Sequence, residues 1–167
     1  MMNDIENLVS QLGNQLSEKK LTLVTAESCT GGGLAYYISI NPNASSRLER
    51  GYVTYSSHAK QSLLGVAAGT LQLCGAVSKE TAIEMAKGAL KNSAAQIAIA
   101  ITGIAGEDKT PESDHKNMGV VWVCCCSAVN ANILIEKITV AGTRKKFCDE
   151  TIMSCIKLLI KYINDIS

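Results

Sequence analysis

Residues 97–101 read Ile-Ala-Ile-Ala-Ile, a continuous apolar run of strand length. A strand that is apolar on both faces needs cover on both, the pattern of a buried strand in an α/β sheet. The rest of the chain alternates accordingly. Ile5, Leu8, Val9, Leu12 and Leu16 form one helical stripe, with Asn3 and Glu6 as a candidate cap. Strands are expected at Leu21–Val24 and Gly51–Tyr55, and helices over Leu34–Ile38 and His58–Leu64. Ser78 caps a helix carrying Ala82, Ile83, Ala86, Ala89 and Leu90. Gly119–Cys125 and Ile133–Val140 are strands joined near Asn130, hence antiparallel. A last helix runs from about Arg144 to Ile163. These elements imply one domain over 1–167: a three-layer α/β/α fold with a mixed, mostly parallel sheet of about five strands.

Charge and cysteines narrow the function. Sixteen Lys+Arg against 15 Asp+Glu give a net charge of +1, so neither nucleic acid nor an anionic membrane is an expected partner. The longest apolar run, around Met118–Cys126, is too short to span a bilayer. The start MMNDIENLV lacks a basic signal-peptide region, so the expected location is cytoplasmic. The seven cysteines form no C-x-x-C pair, and Cys124–Cys126 are adjacent in an apolar segment. Neighbours on a strand point to opposite faces, so these three cannot all ligate one metal. Reduced thiols packed as small hydrophobes are expected, with no metal site and no cofactor. The dinucleotide fingerprint is absent.

Residues 25–33 read TAESCTGGG, at the expected passage from strand to helix. Ligands of open α/β sheets bind beyond the carboxyl ends of strands. Ser28 would there present its hydroxyl beside backbone donors of Cys29, Thr30, Gly31 or Gly32, which could stabilise an oxyanion. The alternative is that Ser28 or Thr30 only caps the helix. Cys29 is a rival nucleophile, since a helix start lowers a thiol's pKa, although no histidine is an obvious partner for it. A serine nucleophile needs a base. Lys60 falls in the first turn of the helix that Ser57 can cap, where the dipole lowers a lysine's pKa. The alternatives are a solvated surface Lys60 and His58 as base.

Taken together, TAESCTGG (25–32), RGYVTYSSHAK (50–60), LLGV (63–66), GAVSKETAIEMAKGAL (75–90), ITGIAG (101–106), GVVWV (119–123) and Gly142-Thr143-Arg144 resemble the CinA carboxy-terminal domain family. Stand-alone members of that family are nicotinamide mononucleotide (NMN) amidohydrolases. The resemblance implies an anticodon-binding-domain-like α/β/α fold and hydrolysis of the NMN carboxamide to nicotinate mononucleotide and ammonia. It implies Ser28 as nucleophile, Lys60 as base, and Tyr55 hydrogen-bonded within that dyad. Glu27, Cys29, Thr30, Gly31, Gly32, Thr102, Gly103 and Gly106 would surround the substrate, with Thr102 touching substrate or dyad. Arg144 would hold the 5′-phosphate. The implied partner is a small molecule, NMN or a related pyridine nucleotide, with a homo-oligomer left open.

One stretch departs from the family pattern. Glu107 stands where proline is usual, Lys109 and Thr110 replace glycines, and Asn117 and Met118 replace Pro-Val. Ser57 stands for the usual Asn and keeps capping ability. The departures leave a second reading open: a non-catalytic or substrate-shifted paralogue that binds a pyridine nucleotide or a protein partner.

Overall fold

The computed structural model of the protein describes residues 2–105 and 118–166. One sheet holds β1 (Leu23–Glu27), β2 (Leu48–Val53), β3 (Ile97–Gly103), β4 (Val120–Ser127) and β5 (Ile133–Thr139). Their spatial order is β2-β1-β3-β4-β5. β1 pairs in parallel with β2 and β3, while β4 runs antiparallel to both β3 and β5. The helices are α1 (Met2–Glu18), α2 (Gly33–Ser39), α3 (Ser57–Leu64), α4 (Ala68–Cys74), α5 (Lys79–Lys91) and α6 (Arg144–Asp165). This is the mixed α/β architecture expected from the sequence.

The apolar run of β3 explains the layering. Ile97, Ile99 and Ile101 face one side with Leu23, Val121, Val123 and Cys125, against the apolar stripes of α1 and α6. Ala98 and Ala100 face the other side with Val24, Ala26, Cys124 and Cys126, against Ala82, Met85, Ala86 and Ala89 of α5. Large side chains thus fill one layer and small ones the other. The three adjacent cysteines divide between the two faces, and all seven thiols are free. On the small-residue side, a Cβ on Gly88 would lie 1.8 Å from the Leu64 carbonyl oxygen. Only glycine lets α5 touch the end of α3 that closely, and α3 carries Lys60.

Several boundaries differ from the sequence reading, each for a local reason. Pairing with β2 and β3 carries β1 on to Glu27, so that acid is a strand residue and Ser28 follows it directly. β2 ends at Val53 because its partner β1 ends at Glu27, which leaves Tyr55 beyond the sheet. α1 already includes Met2, so Asn3 sits inside the helix and does not cap it. Ser56, not Ser57, caps α3 by accepting the Ala59 amide at 3.0 Å. α4 was not anticipated; none of its residues is buried, so it carries no apolar stripe to read.

Candidate active site

The parallel register aligns three strand ends. Beyond the ladder, the Ser28 amide donates to the Ile101 carbonyl at 2.9 Å, and the Thr54 amide donates to the Glu27 carbonyl at 2.8 Å. Ser28, Thr54 and Thr102 therefore lie side by side at the carboxyl edge of the sheet, where ligands of such sheets bind.

Ser28 opens a tight turn. Gly31 and Gly32 have φ of 60° and 92°, in the left-handed region that glycine tolerates. A Cβ on Gly31 would meet nothing, so conformation rather than space selects glycine there. Gly32 is the N-cap residue of α2 and has no side chain to cap with. The Glu27 carboxylate does so instead. Its Oε2 accepts the Leu34 amide at 3.0 Å and the Thr30 hydroxyl at 2.7 Å, and its Oε1 accepts the Ala35 amide at 2.9 Å. Neither Ser28 nor Thr30 is the helix cap, which leaves the Ser28 hydroxyl for another use.

That hydroxyl meets Lys60. The Lys60 side chain is 1% exposed, and its Nζ donates to Ser28 Oγ at 2.9 Å. It also donates to the carbonyls of Thr54 at 2.8 Å and Tyr55 at 3.3 Å. Burial brings the Lys60 pKa down to about 8. The sequence suggested the helix dipole as the cause; desolvation is the larger effect, because an ammonium in a cavity loses its water shell. Cys29 goes the opposite way. Burial pushes its thiol up to about 12, so it is no thiolate at neutral pH despite the nearby turn. His58 is exposed on the surface of α3.

The rim of the site differs from expectation. The Tyr55 side chain is 59% exposed, and its hydroxyl accepts from Arg144 Nη1 at 3.2 Å. It does not enter the Ser28–Lys60 pair; only the Tyr55 carbonyl touches Lys60. The cause is the early end of β2, which turns the residue outward. Arg144 is the first residue of α6, whose cap is Thr143. Thr102 is buried, and its hydroxyl donates to the Ala76 carbonyl at 2.7 Å. Thr102 thus fixes the loop before α5 and makes no bond to the dyad.

Ser28, Cys29, Tyr55, Lys60, Thr102, Gly103 and Arg144 line one cleft of about 180 Å³. A Cβ on Gly103 would lie 2.7 Å from the Val120 carbonyl oxygen, so that glycine serves the β3–β4 approach. Glu27, Thr30, Gly31 and Gly32 stand behind the cleft rather than in its wall. Gly106 and the divergent positions 107–117 lie outside the described residues. Sequence reasoning missed Ala76, Val77, Ile104 and Ala105 in the wall. They sit within the GAVS and ITGIAG stretches, so the motifs flagged their neighbourhood without singling them out. The Thr54 carbonyl was also missed, and a backbone group leaves no residue-type signal. Among the described residues no group of three or more His, Cys, Asp or Glu is placed to hold a metal. No helix among them is long and apolar enough to cross a membrane.

Comparison with known proteins gives the family. The model of the CinA C-terminal domain matches residues 5–163. The nicotinamide-nucleotide amidohydrolase PncC of Escherichia coli K12 is 43% identical over 126 residues, 75% of each chain. A protein of Clostridium acetobutylicum named as competence-damage inducible is 42% identical over 139 residues, 83% of this chain but 33% of its own length. The chain spans about a third of the length of such longer relatives. The crystal structure of the competence/damage inducible protein CihA from Agrobacterium tumefaciens superposes with a TM-score of 0.88 at 36% identity, covering 96% of both chains. The chain belongs to the CinA C-terminal domain family.

Proposed function

We propose that the protein is an amidohydrolase that deamidates NMN to nicotinate mononucleotide through Ser28 and Lys60. The observation that carries this reading is the buried lysine 2.9 Å from a serine hydroxyl. The two carbonyls around Nζ matter as much. A neutral amine has two hydrogens and one lone pair. Carbonyls can only accept, so Thr54 and Tyr55 take the two hydrogens and the lone pair is left for the Ser28 hydroxyl proton. A pKa near 8 keeps an appreciable neutral fraction around neutrality, as a general base requires.

The chemistry follows. Lys60 takes the Ser28 proton while Oγ attacks the carboxamide carbon, giving a tetrahedral oxyanion. The Cys29 amide, which donates to no carbonyl or side-chain oxygen among the described residues, is the candidate oxyanion donor. Lys60 then returns its proton to the nitrogen, the C–N bond breaks and ammonia leaves an ester on Ser28. Water, deprotonated by Lys60, attacks the ester and releases the carboxylate and the free serine. Arg144 at the rim holds the 5′-phosphate by charge-assisted hydrogen bonds. The identity to an enzyme named for this substrate class supports the choice of amide.

Ammonia release from NMN by the intact protein tests the reading. Ser28→Ala should lower the rate by more than about a thousandfold, as loss of a serine nucleophile does. Cys29→Ala should lower it less than about tenfold, since a neutral buried thiol has no step to perform. A dead Cys29→Ala beside an active Ser28→Ala would reverse the assignment. Binding of NMN without hydrolysis would favour the non-catalytic paralogue.

A further inference from the structure

The fully buried Glu27 takes no part in the chemistry above, yet its side chain is tied to the turn that carries it. Burying a carboxylate is costly unless it is fully hydrogen-bonded. Glu27 forms no salt bridge among the described residues; its three side-chain bonds go to Thr30, Leu34 and Ala35. Two of those bonds pin the start of α2, and the third pins Thr30, two residues beyond the nucleophile. Its own backbone carbonyl holds the Thr54 amide, whose carbonyl in turn holds Lys60. The segment between Glu27 and Thr30 contains Ser28 and the Cys29 amide, and the glycines that follow give it little stiffness of its own.

We infer that the Glu27 carboxylate is a positioning residue that sets the angle of the Ser28 hydroxyl and the Cys29 amide toward the reacting carbonyl. The inference rests on the hydrolase reading. It assigns Glu27 no contact with substrate. The consequence is a defect in the chemical step rather than in binding, because Glu27 stands behind the cleft wall and the phosphate is assigned to Arg144 on α6.

Glu27→Gln is the discriminating variant. It keeps shape but offers one acceptor oxygen, and its NH2 must face one of the present donors, so at least one bond is lost. With NMN the expected result is a loss of about 10- to 100-fold in kcat with KM within about twofold, the size of effect that small displacements of reacting groups cause. A second readout needs no NMN: labelling of Ser28 by a fluorophosphonate, in which Oγ bonds to phosphorus, fluoride leaves and Lys60 takes the proton. Its rate should fall in parallel, measured well below the melting temperature of each variant. Thr30→Val, which removes one of the three bonds, should give a smaller loss of the same kind, and Thr30→Ser should restore the native rate. If Glu27→Gln fails to fold, the Thr30 pair decides. Native kcat and native labelling in a folded Glu27→Gln, or in Thr30→Val, would overturn the inference. Labelling that depends on Glu27 in a protein that leaves NMN intact would support the inference and sink the substrate reading. A native protein that neither labels nor hydrolyses would sink both.

Discussion

Among the described residues, the floor and the rim of the cleft hold one basic side chain each, and the two are built in opposite ways. Lys60 is sealed in, with both its hydrogen-bonding partners and its pKa fixed by burial. Arg144 stands at the first turn of α6 and donates to the hydroxyl of the exposed Tyr55. Desolvation makes the first a proton acceptor, a use that an exposed lysine could not serve at neutral pH. The second is a permanent cation by the chemistry of guanidinium, and its exposure leaves that charge open to solvent. On the proposed reading, burial separates the cation that does chemistry from the one that does recognition.

The largest way to break this contrast is at the floor. Lys60→Met should cost about 100- to 10,000-fold in kcat/KM, the usual worth of a general base. In the native protein kcat/KM should rise with pH through an apparent pKa of about 8, and the variant should lose that limb. The same residue makes a stability prediction. Between pH 8 and 10.5 the folded protein releases the Lys60 proton while the unfolded chain keeps it. At this group the unfolded state then binds more protons, so the contribution of Lys60 to stability rises with pH across that window. The buried thiols, which burial pushes up, lower stability with rising pH in native protein and Lys60→Met alike, so the urea midpoints of the two should differ in slope there, with the variant falling more steeply. A pH-independent rate between 6 and 10 would show that Lys60 is not the base.

A smaller effect is expected at the rim. An arginine bond to phosphate is worth roughly 1.5–3 kcal/mol, so Arg144→Ala should weaken kcat/KM for NMN by about one to two decades. Nicotinamide riboside, which lacks the phosphate, should lose a similar factor with native protein. The two losses should not add, because they remove one shared interaction. Equal native rates on both compounds would show that phosphate is not read, and full additivity would show that Arg144 does not read it.

The mildest change sharpens the boundary between the two regions. Tyr55→Phe removes only the hydroxyl that accepts from Arg144 and leaves the carbonyl on Lys60 untouched. A loss of no more than about fivefold, confined to KM, is expected for one exposed hydrogen bond. A collapse of kcat would instead put the tyrosine hydroxyl inside the dyad, as the family resemblance suggested.

The sequence by itself determined the layers and the place where strand passes to helix. An apolar run as uninterrupted as Ile97–Ile101 can only be satisfied between two layers, because both its faces need apolar cover. The stretch at 25–33 marked the passage from strand to helix, whereas the left-handed angles of Gly31 and Gly32 behind Ser28 emerged only in the structure. Ser28 and Lys60 could be named from residue type and resemblance. Their meeting could not be read from chain positions 32 residues apart, because it depends on the β1–β2 register and on Gly88 admitting α3 against α5. Tertiary structure alone decided that Glu27 caps α2, that Tyr55 turns to Arg144, and that a lysine ordinarily bound for solvent is buried. Each of these is set by which backbone groups and which water the packing leaves nearby, and local sequence carries no record of either.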